Sequence, residues 1–242
     1  MNRWLFEPRG VVKSKRSKTN VVEDIAFPMN VVFTNADSVL NKLVELHMFL
    51  DTEKPDLLAV VESNCNASIH DAILSHSGYE LVRRNTTERR GGIVMYVTTK
   101  FKLAECNEMS CSTTDFQESL WYWIYYGRRS KVLVGTVYRK PNSSSDNDRK
   151  LVDIIEKATD ISSEVIILGD FNLPEIVWTE MRAKSKMNEG YNTPVKFLDM
   201  VQQCGLYQHV TSATRTRGNQ TPSLLDLVIT SRRSCNDFSD EL

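Results

Sequence analysis

The strongest constraint on the fold is the stretch VIILGDFN, in which an apolar run ends directly in a glycine, a carboxylate and a carboxamide. A short run of Val, Ile and Leu is typical of a strand that is buried on both faces. Such a strand needs a layer of structure on each side, which indicates an α/β protein. Asp170 and Asn172, which end the run, fit either a simple turn or a strand end that carries chemistry.

From about residue 28 onwards, strand patterns alternate with helix patterns. MNVVFTN and DLLAVVESN predict strands, and the segment between them predicts a helix with Asp37 or Ser38 as N-cap and Pro55 as stop. SLWYWIYYGRRSKVLVGTVYRKP predicts a hairpin, and TPVKFLDMVQQCGLY predicts a helix that ends at Gly205. Strands and helices with a hairpin among them favour a layered α/β protein with mixed sheets over a doubly wound parallel sheet.

Composition limits the protein class without indicating a function. The chain carries 30 Lys+Arg and 31 Asp+Glu, so local basic clusters or a metal ion must hold any polyanionic partner. The apolar runs are too short to span a membrane, and MNRWLFEPRG lacks the apolar core of a signal peptide. We therefore expect a nuclear or cytoplasmic protein that is not secreted and has no membrane partner. The scattered cysteines argue against zinc and favour free thiols.

The amino-terminal part differs from the rest of the chain. Residues 1–27 include the basic stretch VVKSKRSKTN, which has almost no side chains to bury. It predicts a flexible, solvated tail or, as the alternative, a nuclear-import or DNA-contacting arm. Residues 28–242 are then expected to form the domain.

Polar residues stand at the ends of several predicted strands. They are Asn35, Glu62, Tyr138, Asp170 with Asn172, and Asp226 inside SLLDLVIT. Each alone fits a turn cap or a solvated side chain, but Asp226 needs a polar cavity or a partner because an unpaired buried charge is costly. Strand ends in α/β sheets converge on one crevice, and carboxylate and amide oxygens suit Mg²⁺. The set therefore suggests metal-assisted attack of water on a phosphate ester.

These motifs follow the order seen in the endonuclease/exonuclease/phosphatase superfamily. The matching stretches are TNADSVLNK, VVES, the Gly91-Gly92 pair, VYRKP, GDFNLPEIVW and SLLDLVIT. The chain resembles the endonuclease domains of non-LTR (LINE-type) retrotransposons over about residues 28–230. The resemblance implies a four-layer sandwich of two mixed β-sheets, face to face, with helices on the outer faces. It also implies an active site at one rim of the sandwich, with Mg²⁺ or Mn²⁺, and DNA as the partner.

The resemblance implies a role for each matched strand-end residue. Glu62 resembles the principal metal ligand, with Asn35 beside it. Asp170 resembles the residue that orients or deprotonates the attacking water. Asn172 would hold the scissile phosphate and Tyr138 would hydrogen-bond it.

The last part of the chain supplies further expected site residues. Either Thr214 or Thr216 resembles a substrate-contacting threonine, and the neighbouring Arg215 and Arg217 are expected to contact DNA phosphates. Asp226 resembles the carboxylate that orients a catalytic histidine.

The family's final Ser-Asp-His motif has no match in SCNDFSDEL, and none of the four histidines is placed to replace it. The resemblance thus implies a domain that is incomplete at its carboxyl terminus and lacks its last strand or strands. The expected function is a divalent-metal-dependent phosphodiesterase that nicks DNA. The alternatives are a catalytically impaired remnant that at most binds nucleic acid, and a phosphatase of the same superfamily.

Overall fold

The apolar runs of the sequence form strands, and the amphipathic segments between them form helices. The computed structural model describes residues 2–6, 29–109, 115–126, 130–184, 191–215, 222–231 and 235–237. The strands are β1 Asn2–Phe6, β2 Met29–Asn35, β3 Leu57–Val61, β4 Tyr79–Arg84, β5 Ile93–Thr98, β6 Lys102–Glu105, β7 Ser119–Tyr125, β8 Lys131–Tyr138, β9 Val165–Asp170, β10 Ile176–Val177, β11 Arg182–Ala183, β12 Tyr207–Gln208, β13 Asp226–Thr230 and β14 Cys235–Asp237. The helices are α1 Leu43–Glu53, α2 Asp71–Leu74, α3 Ser145–Ile161 and α4 Thr193–Gln203, with 3-10 turns at Leu40–Lys42, Asn107–Met109 and Trp178–Glu180.

The strands form two mixed sheets. The first has the order β14-β1-β2-β3-β5-β4, and the second has the order β12-β13-β9-β8-β7-β6. In the first sheet β2 and β3 are parallel, and in the second β8 and β9 are parallel. The helices α1 and α3 connect these two parallel pairs, as parallel pairing requires a crossover. A separate short ribbon pairs β10 with β11.

The two sheets pack face to face through alternate residues of their strands. Phe33 and Met95 of the first sheet share one core cluster with Val134, Ile166 and Leu168 of the second. Side chains alternate between the faces of a strand, so the residues between these point outwards. Both faces of β3 and β5 are buried, which explains why these two strands are apolar almost throughout.

Helices cover both outer faces. Leu46 and Leu50 of α1 pack with Val60 of β3, and Ile155 of α3 with Phe197 of α4 lies in the cluster of Ile167. The layers are therefore helix, sheet, sheet and helix. The four-layer sandwich of two mixed sheets is confirmed, and so is the aromatic hairpin, because β7 pairs antiparallel with β8. None of the helices in the described residues is long and apolar enough to cross a membrane.

Two expectations about local structure are wrong. Neither Asp37 nor Ser38 caps α1: both have positive φ, and the Ser38 N–H donates to the carbonyl of Glu62 at 2.9 Å. Their backbone joins the start of α1 to the end of β3. The flexible tail predicted over residues 1–27 is wrong for Asn2–Phe6, which pair with β2 through their backbone as β1. Residues 7–28 lie outside the described residues.

β14 was not predicted from the sequence. Cys235–Asp237 pair antiparallel with β1 at the edge of the first sheet. The sequence pattern ended its last strand at SLLDLVIT, because three residues are too short to show a periodic signal.

Gly169 allows β8 and β9 to approach each other beside the carboxyl end of β9. A Cβ at this position would lie 2.3 Å from the carbonyl oxygen of Val137, a backbone atom that cannot rotate away. We expect Gly169→Ala to lower the free energy of unfolding by about 2–3 kcal/mol, measured by urea denaturation. Gly205→Ala is the comparison, because its Cβ would meet nothing within 4 Å and the left-handed φ alone would cost about 1 kcal/mol. Equal losses in the two variants would contradict the steric explanation.

Candidate active site

The carboxyl ends of the parallel strands open into one cavity at a rim of the sandwich. We call it the rim cavity; it has a volume of about 670 Å³. Its walls are Asn35, Asp37, Glu62, Glu88, Arg89, Arg90, Tyr138, Lys140, Pro141, Asn142, Asp170, Asn172, Thr214, Arg215, Leu225 and Asp226. Asn35 ends β2, Tyr138 ends β8 and Asp170 ends β9. Antiparallel pairing of β13 with β9 sets Asp226 opposite Asp170.

Asn35 bridges the two sheets inside the rim cavity. Its side-chain Nδ2 donates to Glu62 Oε1 at 2.7 Å and to Asp170 Oδ2 at 3.1 Å. Its Oδ1 accepts from the Asp37 N–H at 3.1 Å, which fixes the orientation of the amide. One carboxamide therefore sets the separation of two carboxylates that lie far apart in the sequence.

Glu62 and Tyr138 form a second contact between the sheets. Glu62 follows β3 with a left-handed φ of 48°, which turns its side chain into the rim cavity. Tyr138 hydrogen-bonds Glu62, and burial together with the charge of Glu62 raises the pKa of the Tyr138 hydroxyl. The phenol therefore stays protonated at neutral pH and keeps a proton to donate.

Asp170 and Asp226 form a pair of buried carboxyl groups with raised pKa values within the rim cavity. Burial, and after it the charge of Glu62, raises the pKa of Asp170 to about 6 against the hydrogen bond from Asn35. Burial and the charge of Asp170 raise the pKa of Asp226 to about 7. Two buried carboxyl groups with raised pKa values, next to the carboxylate of Glu62, form a place where a cation is favoured.

The donor set of the rim cavity fits Mg²⁺ or Mn²⁺. Glu62 and Asp170 offer hard carboxylate oxygen atoms, and Asn35 offers an amide oxygen that also accepts from the Asp37 N–H. No histidine or cysteine lines the cavity among the described residues. Within those residues, no three His, Cys, Asp or Glu side chains are grouped tightly enough to enclose an ion by themselves. Mg²⁺ usually needs only one or two carboxylates, because it keeps several of its waters. The fit is therefore to a hydrated hard ion and not to zinc.

The GDFN turn is held in an unusual backbone conformation. Asn172 has a left-handed φ of 47°, and its N–H donates to Asp170 Oδ1 at 3.2 Å. Its side-chain Nδ2 donates to the carbonyl of Arg139 at 2.8 Å. Asn tolerates the left-handed region better than other residues, which explains its place after Phe171.

Thr214 is anchored to the start of β13. Its Oγ1 accepts from the N–H groups of Leu225 and Asp226 at 3.1 and 3.0 Å, and its hydroxyl also hydrogen-bonds the Asp226 carboxyl. Arg215 lines the rim cavity, and its Nε has no hydrogen-bond partner among the described residues. Thr216 and Arg217 lie outside the described residues.

Basic side chains and a second cavity extend the site along the rim. Arg89 and Arg90 are exposed at the edge of the rim cavity, where Arg90 lies 4.0 Å from Glu62. The second cavity, the side cavity, has a volume of about 560 Å³ and shares Glu88, Tyr138, Lys140 and Asn142 with the first. The two cavities share walls, and basic side chains are among their lining residues.

Comparison with known proteins agrees with this fold. Residues 132–240 match the family described as Endonuclease-reverse transcriptase. No curated protein matches the chain. The endonuclease domain of TRAS1, a telomere-specific non-LTR retrotransposon, has a TM-score of 0.58 at 12% identity. The match covers 82% of this chain and 83% of the TRAS1 domain.

Residues 132–240 therefore resemble this family, and the solved structure shares the fold.

Two other solved structures of this fold extend the comparison. The AP endonuclease LMAP from Leishmania major has a TM-score of 0.62 at 16% identity, with 83% of this chain and 78% of that chain covered. The 3′ phosphatase NExo from Neisseria, bound to a product DNA hairpin, has a TM-score of 0.60 at 14% identity, with 84% and 86% covered. Solved proteins of this fold thus include nucleases and a phosphatase.

The structure brings the predicted strand-end residues together. Asn35, Glu62, Tyr138, Asp170, Asn172 and Asp226, together with Thr214 and Arg215, all line the rim cavity. None of the four histidines does so. His209, for example, hydrogen-bonds Thr230 Oγ1 at 2.7 Å near the other end of β13. The carboxyl of Asp226 is therefore bound by Thr214 within the described residues.

Sequence reasoning missed several residues of the site. Lys140 lines both cavities and pairs with Glu88 at 2.7 Å. Arg139 and Asp148 form a buried ion pair behind the GDFN turn. VYRKP was recognised as a motif, but nothing in its spacing separates the buried arginine from the exposed lysine.

Proposed function

We propose that this chain is a divalent-metal-dependent phosphodiesterase that nicks DNA by attack of water on a backbone phosphate. The observation that supports this most strongly is the linkage of Glu62, Asn35 and Asp170 by hydrogen bonds of 2.7 and 3.1 Å inside one cavity. A carboxylate for the ion and a second carboxylate for water thereby stand side by side. The relatives' nuclease names add support, since the sequence family is described as Endonuclease-reverse transcriptase.

In the proposed reaction each residue has one task. Glu62 and Asn35 would hold Mg²⁺ or Mn²⁺, which when bound supplies positive charge next to the phosphate. Asp170 would orient the water and accept its proton. Asn172 and Tyr138, on the same wall, would position the scissile phosphate, with Tyr138 donating its hydroxyl proton.

The rim favours a polynucleotide over a small phosphate ester. The rim cavity and the side cavity, of about 670 and 560 Å³, are larger than a single phosphate group needs, and Arg89, Arg90, Lys140 and Arg215 line them. Basic side chains on both sides of a reacting centre suit the flanking phosphates of a DNA strand. A phosphatase of the same superfamily is accordingly the less favoured activity.

Binding of DNA without cleavage is a second candidate function. Two observations favour it: no histidine of the described residues lines the rim cavity, and Asp226 is hydrogen-bonded to Thr214. Basic residues at the rim would bind DNA whether or not the reaction follows.

Nuclear or cytoplasmic location stays a prediction.

Nicking of supercoiled plasmid tests the proposal. We expect conversion to open circles with Mg²⁺ or Mn²⁺, none with EDTA, and slower conversion as salt rises because phosphate contacts weaken. p-Nitrophenyl phosphate is the control substrate, on which little turnover is expected. Retarded DNA without open circles would favour binding alone, and turnover of the small ester without nicking would favour a phosphatase.

A further inference from the structure

Arg139 lies directly behind the proposed catalytic residues without reaching the rim cavity. It follows Tyr138 at the end of β8, is 6% exposed, and is not among the residues that line either cavity. Its Nη1 donates to the carbonyl oxygens of Phe171 and Asn172, at 3.3 and 2.9 Å. The guanidinium therefore binds the backbone of the GDFN turn from inside the protein.

The main chain of Arg139 contacts the same turn. Its N–H donates to the carbonyl of Asp170 at 2.8 Å, and its carbonyl accepts from the side-chain amide of Asn172 at 2.8 Å. Backbone and side chain of one residue thus hold three consecutive residues of the turn. Asn172 keeps its left-handed φ of 47° within this clamp.

Two helices fix the guanidinium in turn. Asp148, in the first turn of α3, accepts from Arg139 Nε and Nη2 at 2.8 and 2.9 Å in a bidentate pair. Thr193, the first residue of α4, donates its hydroxyl to Asp148 Oδ2 at 2.6 Å. The planar guanidinium of an arginine presents its N–H donors in fixed directions, whereas the ammonium group of a lysine rotates on a flexible chain.

We propose that Arg139, held by Asp148 and Thr193, is a positioning residue that sets the backbone of the GDFN turn and thereby the placement of Asp170 and Asn172. The inference deepens the proposed function and rests on it for its catalytic consequence. Stability alone does not require this ion pair, because apolar residues of similar size often replace a buried pair without loss. Apolar residues have no donors for the carbonyl oxygens of Phe171 and Asn172, so the orientation of the turn is the property that only the arginine supplies.

Two variants separate positioning from stability. Arg139→Lys keeps the charge opposite Asp148 and removes the fork. The triple variant Arg139→Met, Asp148→Leu, Thr193→Val replaces the network with apolar groups and leaves no buried charge unpaired. The matched control is Arg83→Lys, because Arg83 also pairs with an aspartate, Asp71, at 2.7 Å and also binds a carbonyl, that of Ile69, at 2.6 Å, yet lines neither cavity.

Three measurements are made on each folded variant: kcat and KM for plasmid nicking, amide hydrogen exchange at Phe171 and Asn172, and the urea midpoint. We expect kcat to fall about 10- to 100-fold in Arg139→Lys and in the triple variant, with KM within about twofold of the wild type. Exchange at the two amides is expected to be faster in both. Arg83→Lys is expected to change neither kcat nor exchange at these amides.

The exchange measurement keeps the inference separate from the proposed function. If the wild-type chain nicks DNA, an unchanged kcat in a folded Arg139→Lys overturns the inference. If the wild-type chain does not nick DNA, the proposed function fails, and hydrogen exchange alone decides whether Arg139 positions the GDFN turn. Unchanged exchange at Phe171 and Asn172 then overturns the positioning role, and faster exchange supports it.

Discussion

Asp170→Asn is expected to lower the metal-dependent nicking rate by about 10²- to 10⁴-fold, the usual contribution of a positioned general base. Asparagine has nearly the shape of aspartate, and its oxygen can still accept from Asn35 or from the N–H of Asn172, now at 3.1 and 3.2 Å from the Asp170 carboxylate. It cannot accept a proton from water. The loss should therefore appear in kcat, measured by plasmid nicking at saturating Mg²⁺.

Stability provides an independent check on this prediction. Asp170 is 6% exposed, and burial and the charge of Glu62 disfavour its ionised form. In metal-free buffer at pH 7, Asp170→Asn is therefore expected to unfold at the same or a higher urea concentration than the wild type. Asp199→Asn on α4 is the control, because Asp199 is half-exposed and its ion pair, with Lys196 at 3.7 Å, lies on the surface of the same helix. Nicking at the wild-type rate by a folded Asp170→Asn variant would rule out the proposed mechanism.

The sequence was sufficient to predict where the site would form. Asn35, Glu62 and Asp170 each follow an apolar run, and parallel strands end at the same edge of a sheet. Strand direction brings Asn35 and Glu62 together at one edge of the first sheet, and the face-to-face packing of the two sheets adds Asp170 from the second. Their roles came from family resemblance, and the roles of Thr216 and Arg217 stay predictions because both lie outside the described residues.

The sequence was not sufficient to predict what holds the site. Arg139 stands between a tyrosine and a lysine-proline pair, where a charged side chain is usually solvated. Its burial depends on Asp148, 9 positions along the chain, and Asp148 depends on Thr193, 45 positions further. Contacts of this kind are set by the packing of α3 and α4 on the sheet, which no local pattern records. The same holds for Thr214, whose hydroxyl meets Asp226 12 positions later.

Asp148→Asn is expected to lower the free energy of unfolding by about 3–5 kcal/mol, because it leaves the buried guanidinium of Arg139 without a counter-charge. The side chains of Arg139 and Asp148 are 8% and 2% exposed, so water cannot replace the lost partner. Asp71→Asn is the matched control. Its arginine partner, Arg83, is also mostly buried, but the Asp71 side chain is 66% exposed, and a loss of at most about 1 kcal/mol is expected. Urea denaturation at pH 7 measures both variants.

Low pH should remove the difference in free energy of unfolding between the wild type and Asp148→Asn. Burial alone would raise the pKa of Asp148, but hydrogen bonds from Arg139, Thr193 and Ser143 outweigh it and hold the pKa below the ordinary value of 3.8. A carboxyl with a lowered pKa stabilises the fold fully above its unfolded pKa, and this stabilisation is lost as pH falls through the folded pKa. At pH 7 the free energy of unfolding of the wild type should therefore exceed that of Asp148→Asn by the full expected margin. This margin should shrink only below about pH 4. A margin that is equal at pH 7 and pH 2 would show that Asp148 does not stabilise the fold through its charge.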